Sequence, residues 1–329
     1  MRFEKWQALG NDYLIVERDD LPFELTPARI RRICEGHFGV FADGILLLTP
    51  SGSTDYVADL RIFNPDGSEA ELSGNGAREA ILYLRRRGWT DQDIFTIRTA
   101  AGEIRPQITG KNTCRVDMGH ASLTSKDHPS GSADERGKGS VDGRGELTAD
   151  GRVWRFQHVS IGNPQCAIHV ETLEELRALD LPAIGPAIEG HELFPNRTNV
   201  SWYTELEPGE PDESGTPGER SRIRARIFER GVGETLSSGT GATGAAIAHV
   251  LRGRTAGGSG VGGERSGAGD AGTATGNPDP PHTVTVALDG GELNVEVGES
   301  LHVHLTGWAV PVFSGELSAT FLEELHETE

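Results

Sequence analysis

The chain has little lysine and little cysteine, and each shortage excludes something. Only four of its 31 cationic side chains are lysines (Lys5, Lys111, Lys126 and Lys138), and the other 27 are arginines. Against 50 acidic groups they leave a net charge of −19. Phosphate binding needs clustered Lys and Arg, so nucleic acid is excluded as a partner, as is an anionic membrane surface. A lysine-poor acidic surface suits concentrated salt, where charge maintains solubility while salt screens the repulsion. Cys34, Cys114 and Cys166 are widely spaced, with no CxxC pair. That excludes a disulfide framework and a zinc site of the usual spacing. Met1–Val16 has no apolar run of signal-peptide type, and no stretch approaches the ~18 apolar residues of a membrane span. A cytoplasmic protein without membrane contact is expected.

With 329 residues the chain is long enough for two domains, each with its own core. Three stretches read as surface insertions: Ser125–Gly151, Glu205–Ser221 and 253–281, the last with ten glycines. They have too little apolar surface to offset the entropy of ordering, so loops are expected there. Between them lie β-like runs at Asp12–Arg18, Gly44–Thr49, Asp59–Phe63, Ile94–Arg98, Cys114–Met118, Gln157–Ile161, Ala167–Val170, Ile223–Phe228, Thr283–Leu288 and Leu301–Leu305. Helical spacing predicts helices at Pro27–Gly36, Gly76–Arg87, Leu173–Leu179 and Gly241–Leu251.

Residues 61–77 and 226–242 are near-copies. Arg61/Arg226, Ile62/Ile227, Phe63/Phe228, Glu69/Glu234, Ser73/Ser238, Gly74/Gly239, Gly76/Gly241 and Ala77/Ala242 match without a gap at a constant offset of 165. Eight identities in seventeen aligned positions imply an internal duplication. Each copy reads strand, glycine-rich loop, then Ser-Gly-x-Gly-Ala opening a helix, so two similar halves should face each other.

Such helix starts carry unpaired backbone N–H groups and partial positive charge, and glycine lets an anion approach closely. Two facing each other would hold a carboxylate and set one side chain on each face of the adjoining carbon. Inversion at a carbon needs this arrangement, one group removing a proton and another returning it on the opposite face. For either copy alone the plain alternative is helix capping, at which serine excels.

The motifs Leu9-Gly-Asn-Asp12, Phe63-Asn-Pro-Asp-Gly-Ser-Glu-Ala70, Ser73-Gly-Asn-Gly-Ala-Arg78, Gly162-Asn-Pro164, Pro195-Asn-Arg-Thr-Asn-Val200 and Glu229-Arg-Gly-Val-Gly-Glu-Thr235, followed by Ser238-Gly-Thr-Gly241, resemble the diaminopimelate epimerase family from the first residues to about Phe313. The resemblance implies an α/β (α+β) fold of two pseudo-symmetric domains, each a strand-rich half-barrel around a central helix, with the site in the cleft. The expected division is 1–118 plus about 310–329 for the first half and 119–309 for the second. The implied reaction is cofactor-independent interconversion of LL- and meso-diaminopimelate in lysine biosynthesis, and a homodimer is compatible with it. No phosphate loop, metal cluster or motif lysine for pyridoxal phosphate is present, so no cofactor and no metal are expected.

By the same resemblance Asn11, Asn64, Asn163 and Asn199, with Glu229 and Arg230, hold the distal end of the substrate. Gly74, Asn75, Gly239 and Thr240 present backbone N–H groups to the carboxylate at the reacting carbon. Taken singly, each asparagine also suits a turn, and Arg78 reads as a structural helix residue.

The family's acid and base are cysteines, which fall at Ser73 and Ser238 here. Its histidine after Gly-Asn-Pro is Gln165, and a position that often holds Gln is Gly44. A hydroxyl is a weaker acid than a thiol. Glu229 is the nearest titratable helper; Cys166 and His158 read as structural. Two rivals follow: a superfamily epimerase or dehydratase acting on an amino acid such as hydroxyproline, and a non-catalytic amino-acid-binding paralogue.

Overall fold

The computed structural model describes residues 1–71, 73–127, 142–207, 221–257 and 281–328. The first half opens with β1 (Arg2–Ala8), β2 (Asn11–Glu17), α1 (Pro27–Cys34), β3 (Ile45–Pro50), β4 (Ala58–Phe63), β5 (Glu69–Ala70), α2 (Gly74–Arg86), β6 (Ile97–Thr99) and β7 (Gly102–Ile104). There follow β8 (Gln107–Gly110), β9 (Thr113–His120), β10 (Arg144–Ala149), β11 (Arg152–Ser160), β12 (Pro164–His169), α3 (Leu173–Ala178), α4 (Leu181–Glu189), β13 (Asn199–Leu206), β14 (Ser221–Glu229), β15 (Gly233–Thr235) and α5 (Gly239–Gly257). The chain closes with β16 (His282–Leu288), β17 (Gly291–Val297), β18 (His302–Trp308), β19 (Val310–Glu316) and α6 (Ala319–Glu327).

The strands form two sheets. The first runs β19-β1-β2-β3-β4-β6-β7 with β5 paired to β4; the second runs β10-β11-β12-β13-β14-β16-β17-β18-β9-β8 with β15 paired to β14. One apolar core joins the inner faces of both sheets to the two central helices, through Ala77, Ile81 and Leu84 of α2 and Ala242, Ala245 and Ala246 of α5. A second core holds α1 and α6 on the outer face of the first sheet, and a third holds α3 and α4 against the second. Strand β19 returns the chain end to β1. We propose the sheets as the domain division; it moves 107–118, which the sequence reading assigned to the first half, into the second through the β9–β18 pairing.

The duplication is structural. Strands β4 and β14, hairpin partners β5 and β15, and helices α2 and α5 occupy the matched positions. The repeated Arg–Glu pair closes the hairpin in both copies, Arg61 Nη2 lying 2.7 Å from Glu69 and Arg226 Nη2 2.7 Å from Glu234. Both central helices start at the first glycine of their motif, two residues earlier than the periodicity predicts, because the serine before it caps the turn.

The expected insertions are shorter than their composition suggests. Strand β10 lies inside Ser125–Gly151, burying Gly145, Leu147 and Ala149 in alternation against β11. Strand β13 runs to Leu206 and α5 to Gly257, while 128–141, 208–220 and 258–280 lie outside the described residues. Among the described residues, no helix is long and apolar enough to cross a membrane.

Two features of the packing are testable. The β1–β2 turn of the first half rests at Leu9 on the β16–β17 turn of the second, whose Gly290 N–H is held within its own half by Leu236 O at 2.8 Å. A Cβ on Gly290 would stand 1.7 Å from Leu9 O. Gly290→Ala is therefore expected to cost about 1–3 kcal/mol in denaturant unfolding; unchanged stability would contradict this turn-on-turn contact. The second is Glu79, fully buried on α2, with no side-chain hydrogen-bond partner for its carboxylate. Burial drives its carboxyl well above the ordinary value, with Arg78 opposing. The native state keeps this proton where the unfolded chain has lost it, so stability falls as pH rises from the ordinary carboxyl range to the raised native value. Glu79→Gln removes that dependence, so its stability relative to the parent should grow between about pH 5 and pH 8; parallel profiles would contradict a buried neutral acid.

Candidate active site

Ser73 sits in extended backbone just before α2, and its Oγ accepts the Gly76 N–H at 3.1 Å. Ser238 does the same for α5, accepting the Gly241 N–H at 3.2 Å. The two helix starts meet at their first glycines: a Cβ built on Gly74 would lie 3.7 Å from Gly239 Cα, and one on Gly239 would lie 3.8 Å from Gly74 Cα. That spacing is ordinary van der Waals contact, so the two helix starts pack directly on each other. Behind the junction lies the fully buried Arg78, whose Nη1 donates to Gly74 O at 3.0 Å and whose Nη2 donates to Asn75 Oδ1. Burial lowers its pKa, but a guanidinium has enough margin to remain charged. Two helix N-termini, each with partial positive charge, and one buried cation thus meet at this junction.

The two serines have different partners. Ser238 is almost fully buried, and its Oγ donates to Glu229 Oε2 at 3.1 Å. Thr235 Oγ1 donates to the other oxygen of Glu229 at 2.8 Å. Burial pushes Glu229 above its ordinary value, against the pull of these two hydroxyls, which brings a carboxylate toward the range useful for accepting protons. Ser73 instead receives a hydrogen bond from the Tyr13 hydroxyl at 3.3 Å. Burial drives the Tyr13 hydroxyl far up, so it stays protonated near neutrality. Tyr13 was missed by the sequence reading, although it stands two residues after Asn11. Gly44 explains how it fits: a Cβ there would lie 2.7 Å from Tyr13 Cε1 and 2.1 Å from Phe63 O.

The asparagines form a frame around the junction. Asn75 donates to Asn11 Oδ1 at 3.2 Å and, across the halves, to Ser237 Oγ at 3.1 Å; Asn11 in turn donates to Asp43 at 2.8 Å. Asn163 donates to Thr240 Oγ1 at 3.2 Å in the first turn of α5. Asn199 bridges loops, donating to Pro164 O at 3.1 Å and accepting the Arg230 N–H at 2.9 Å. Asn64 donates to Ser68 Oγ at 3.0 Å and exposed Arg230 donates to Asn196 O at 3.0 Å, so hydrogen bonding ties neither to the serine pair. His158 is buried with Nε2 3.0 Å from Ser125 Oγ. Burial raises all three thiols, Cys34 and Cys114 to about 12 and Cys166 further.

The sequence profile described as diaminopimelate epimerase matches residues 3–124 and 157–311. The diaminopimelate epimerase of Pelotomaculum thermopropionicum is 38% identical over 322 residues, covering 96% of this chain and 98% of its own. Diaminopimelate epimerase 2 of Nostoc sp. is 36% identical, covering 97% and 96%. The chain belongs to the diaminopimelate epimerase family. Among solved structures, a PhzF-family phenazine biosynthesis protein of Bacillus anthracis superposes with a TM-score of 0.60 at 18% identity, over 97% of this chain and 99% of its own. A hydroxyproline epimerase of Agrobacterium vitis gives 0.55 at 13%, over 96% and 90%. These two share the fold.

The positions 44, 73, 165 and 238, expected from the resemblance to differ from the family, hold Gly, Ser, Gln and Ser. Gln165 is fully buried against α5 and donates to Asn163 Oδ1 at 2.7 Å, so it aims Asn163 at Thr240 rather than serving either serine. Of the hydrogen bonds described for the two serines, the one that reaches a carboxylate runs from Ser238 to Glu229. If Glu229 receives the Ser238 proton, the rate must fall as pH drops through the raised Glu229 value, so the acidic limb lies above the ordinary carboxyl range. Glu229→Gln should remove that limb and lower kcat by about 10²–10⁴-fold; an unaltered pH–rate profile would contradict the pairing.

Proposed function

We propose that this chain interconverts LL- and meso-diaminopimelate by two-base proton transfer in the cytoplasm, as a step of lysine biosynthesis. The observation that carries this reading is the abutment of the two serine-capped helix starts at Gly74 and Gly239. The α-carboxylate binds the N–H groups of Gly74, Asn75, Gly239 and Thr240, with the Arg78 cation behind it. As the α-proton leaves, negative charge spreads onto that carboxylate, where fixed donors stabilise it more than they did the ground state. Each such donor is worth about 3–4 kcal/mol when removed.

In one direction Ser238 Oγ takes the α-proton while its own proton passes to Glu229, and Ser73 returns a proton to the opposite face. The Ser73 oxygen left behind is stabilised by the Tyr13 hydroxyl, which already points at it. In the other direction the two sides exchange roles. Asn11, Asn64, Asn163, Asn199 and Arg230 hold the distal amino-acid end, Arg230 by a bidentate grip on the carboxylate.

The test is NMR of LL-diaminopimelate with the protein in deuterated, high-salt buffer. The meso product should carry deuterium at the inverted carbon. Ser73→Ala and Ser238→Ala each lose a cap worth about 1 kcal/mol but should fold. One should exchange only the LL α-proton and the other only the meso α-proton, neither inverting. Binding without exchange would leave the non-catalytic reading. Ser73→Cys with Ser238→Cys should raise the rate by orders of magnitude; an unchanged rate would remove both positions from the chemistry.

A further inference from the structure

The opposite face of strand β18 carries a second chemical cluster. Val303 and Leu305 of this strand are buried inward, so His302 and His304 turn outward, half-buried. His304 pairs directly with Asp117 of β9 and His302 with His120. The register shifts between them: Val303 pairs with Gly119, leaving Met118 as an extra residue, and Gly119 takes a φ of 75°. Such a bulge re-aims its neighbours, and here it gathers Asp117 with both histidines. Asp117 Oδ1 lies 2.8 Å from His302 Nε2 and accepts the Gly119 N–H at 2.8 Å. One donor atom each from Asp117, His302 and His304 lie within 4.8 Å of one another.

We propose that Asp117, His302 and His304 form a binding site for a divalent transition metal of the zinc class, on the face of the second sheet turned away from the serine pair. The donor set selects the metal class. Two imidazoles and one carboxylate suit zinc and its first-row neighbours, whereas calcium and magnesium take oxygen ligands. Zinc bonds of ~2.1 Å place tetrahedral ligand atoms about 3.4 Å apart, so a modest side-chain rotation closes the cluster. The ligands stand on two paired strands rather than on loops, which fixes their spacing. The His120 ring stacks on His302 at 4.7 Å, and its own Nδ1 lies 3.2 Å from Ser300 O, so the His302 ring is backed by a held neighbour. Three protein ligands leave a fourth position for water.

The site's position gives it a role. A metal there would clamp β9 to β18, the strand whose inner face supports the helix junction: Leu305 Cδ2 lies 3.2 Å from the Cβ position of Gly239, and the Cβ position of Gly307 is 2.8 Å from Arg78 Nε. The spacing of these ligands in sequence, one residue on β9 and two some 185 residues later, gave no metal signal, because the register of the two strands brings them together.

The experiment is calorimetric titration of the full chain, stripped with a chelator and dialysed, with zinc chloride, and with cobalt(II) read by visible absorption. About one equivalent of zinc should bind, and cobalt should give the intense absorption of a tetrahedral site. His302→Gln and His304→Gln should each weaken binding by more than the ~10–100-fold that losing an outer-shell partner costs. His282→Gln, at an exposed histidine elsewhere, should leave it unchanged. Zinc should raise the unfolding temperature of the parent and not of the two variants. Asp117→Asn, nearly isosteric, provides the same comparison if a histidine variant fails to fold. Absence of zinc uptake by the parent, or uptake that persists unchanged in these variants, overturns the proposal.

Discussion

Everything in this molecule is arranged around two helix starts brought into contact through glycine. Gly74 and Gly239 pack directly on each other, a Cβ position on one lying 3.7 Å and on the other 3.8 Å from the opposite Cα. Like partial charges meet there, and Arg78 adds a full positive charge at the same point. The repulsion is tolerable because peptide N–H dipoles and a guanidinium aimed at one spot become favourable when an anion is placed on it. Burying Arg78 between the halves is costly for the fold unless its charge is compensated. Its two hydrogen bonds run to the backbone and side chain of the adjoining turn, which locks the turn to the charge.

Around that shared point the two copies keep eight of seventeen positions and differ in what stands beside their serines. The duplicated hairpins keep the same Arg–Glu ion pair, the same serine cap and the same glycines. Asn64 and Glu229 occupy the matching position at the end of β4 and after the same Arg-Ile-Phe run in β14. The second copy has a carboxylate bonded to its serine, and the first has an asparagine turned to Ser68. Tyr13, from outside the repeat, fills the corresponding place beside Ser73. On one side of the junction a carboxylate accepts from the serine, and on the other a tyrosine hydroxyl donates to it.

Much of this was legible in the residues because it depends on local chemistry and on repetition. The gapless repeat marked the two serine-glycine turns that open α2 and α5, and Asn11, Asn75 and Asn163 hydrogen-bond beside them. What was missed depends on tertiary context. Tyr13 gains its meaning from a residue sixty positions away and from the bare backbone at Gly44. Strand β13 is buried on both faces from Asn199 to Thr204, so it lacks the alternation that reveals a strand. Helix α4 contains Pro182, Gly185 and Pro186, which argue against a helix locally, yet Asp180 caps it and Leu181, Ile184 and Ile188 bury one face. Strand β10 was hidden by the glycine and charge of its surroundings, although every second residue from Gly145 is buried.

The central claim is that one amino-acid α-carbon sits between Ser73 and Ser238 with its carboxylate on the glycine junction. A crystal structure with meso-diaminopimelate bound measures this directly. The account predicts the carboxylate within hydrogen-bond distance of the backbone N–H groups at 74–75 and 239–240, and the two serine oxygens on opposite faces of the same carbon. A ligand whose carboxylate lies away from that junction, or whose α-carbon meets both serines on one face, would contradict it.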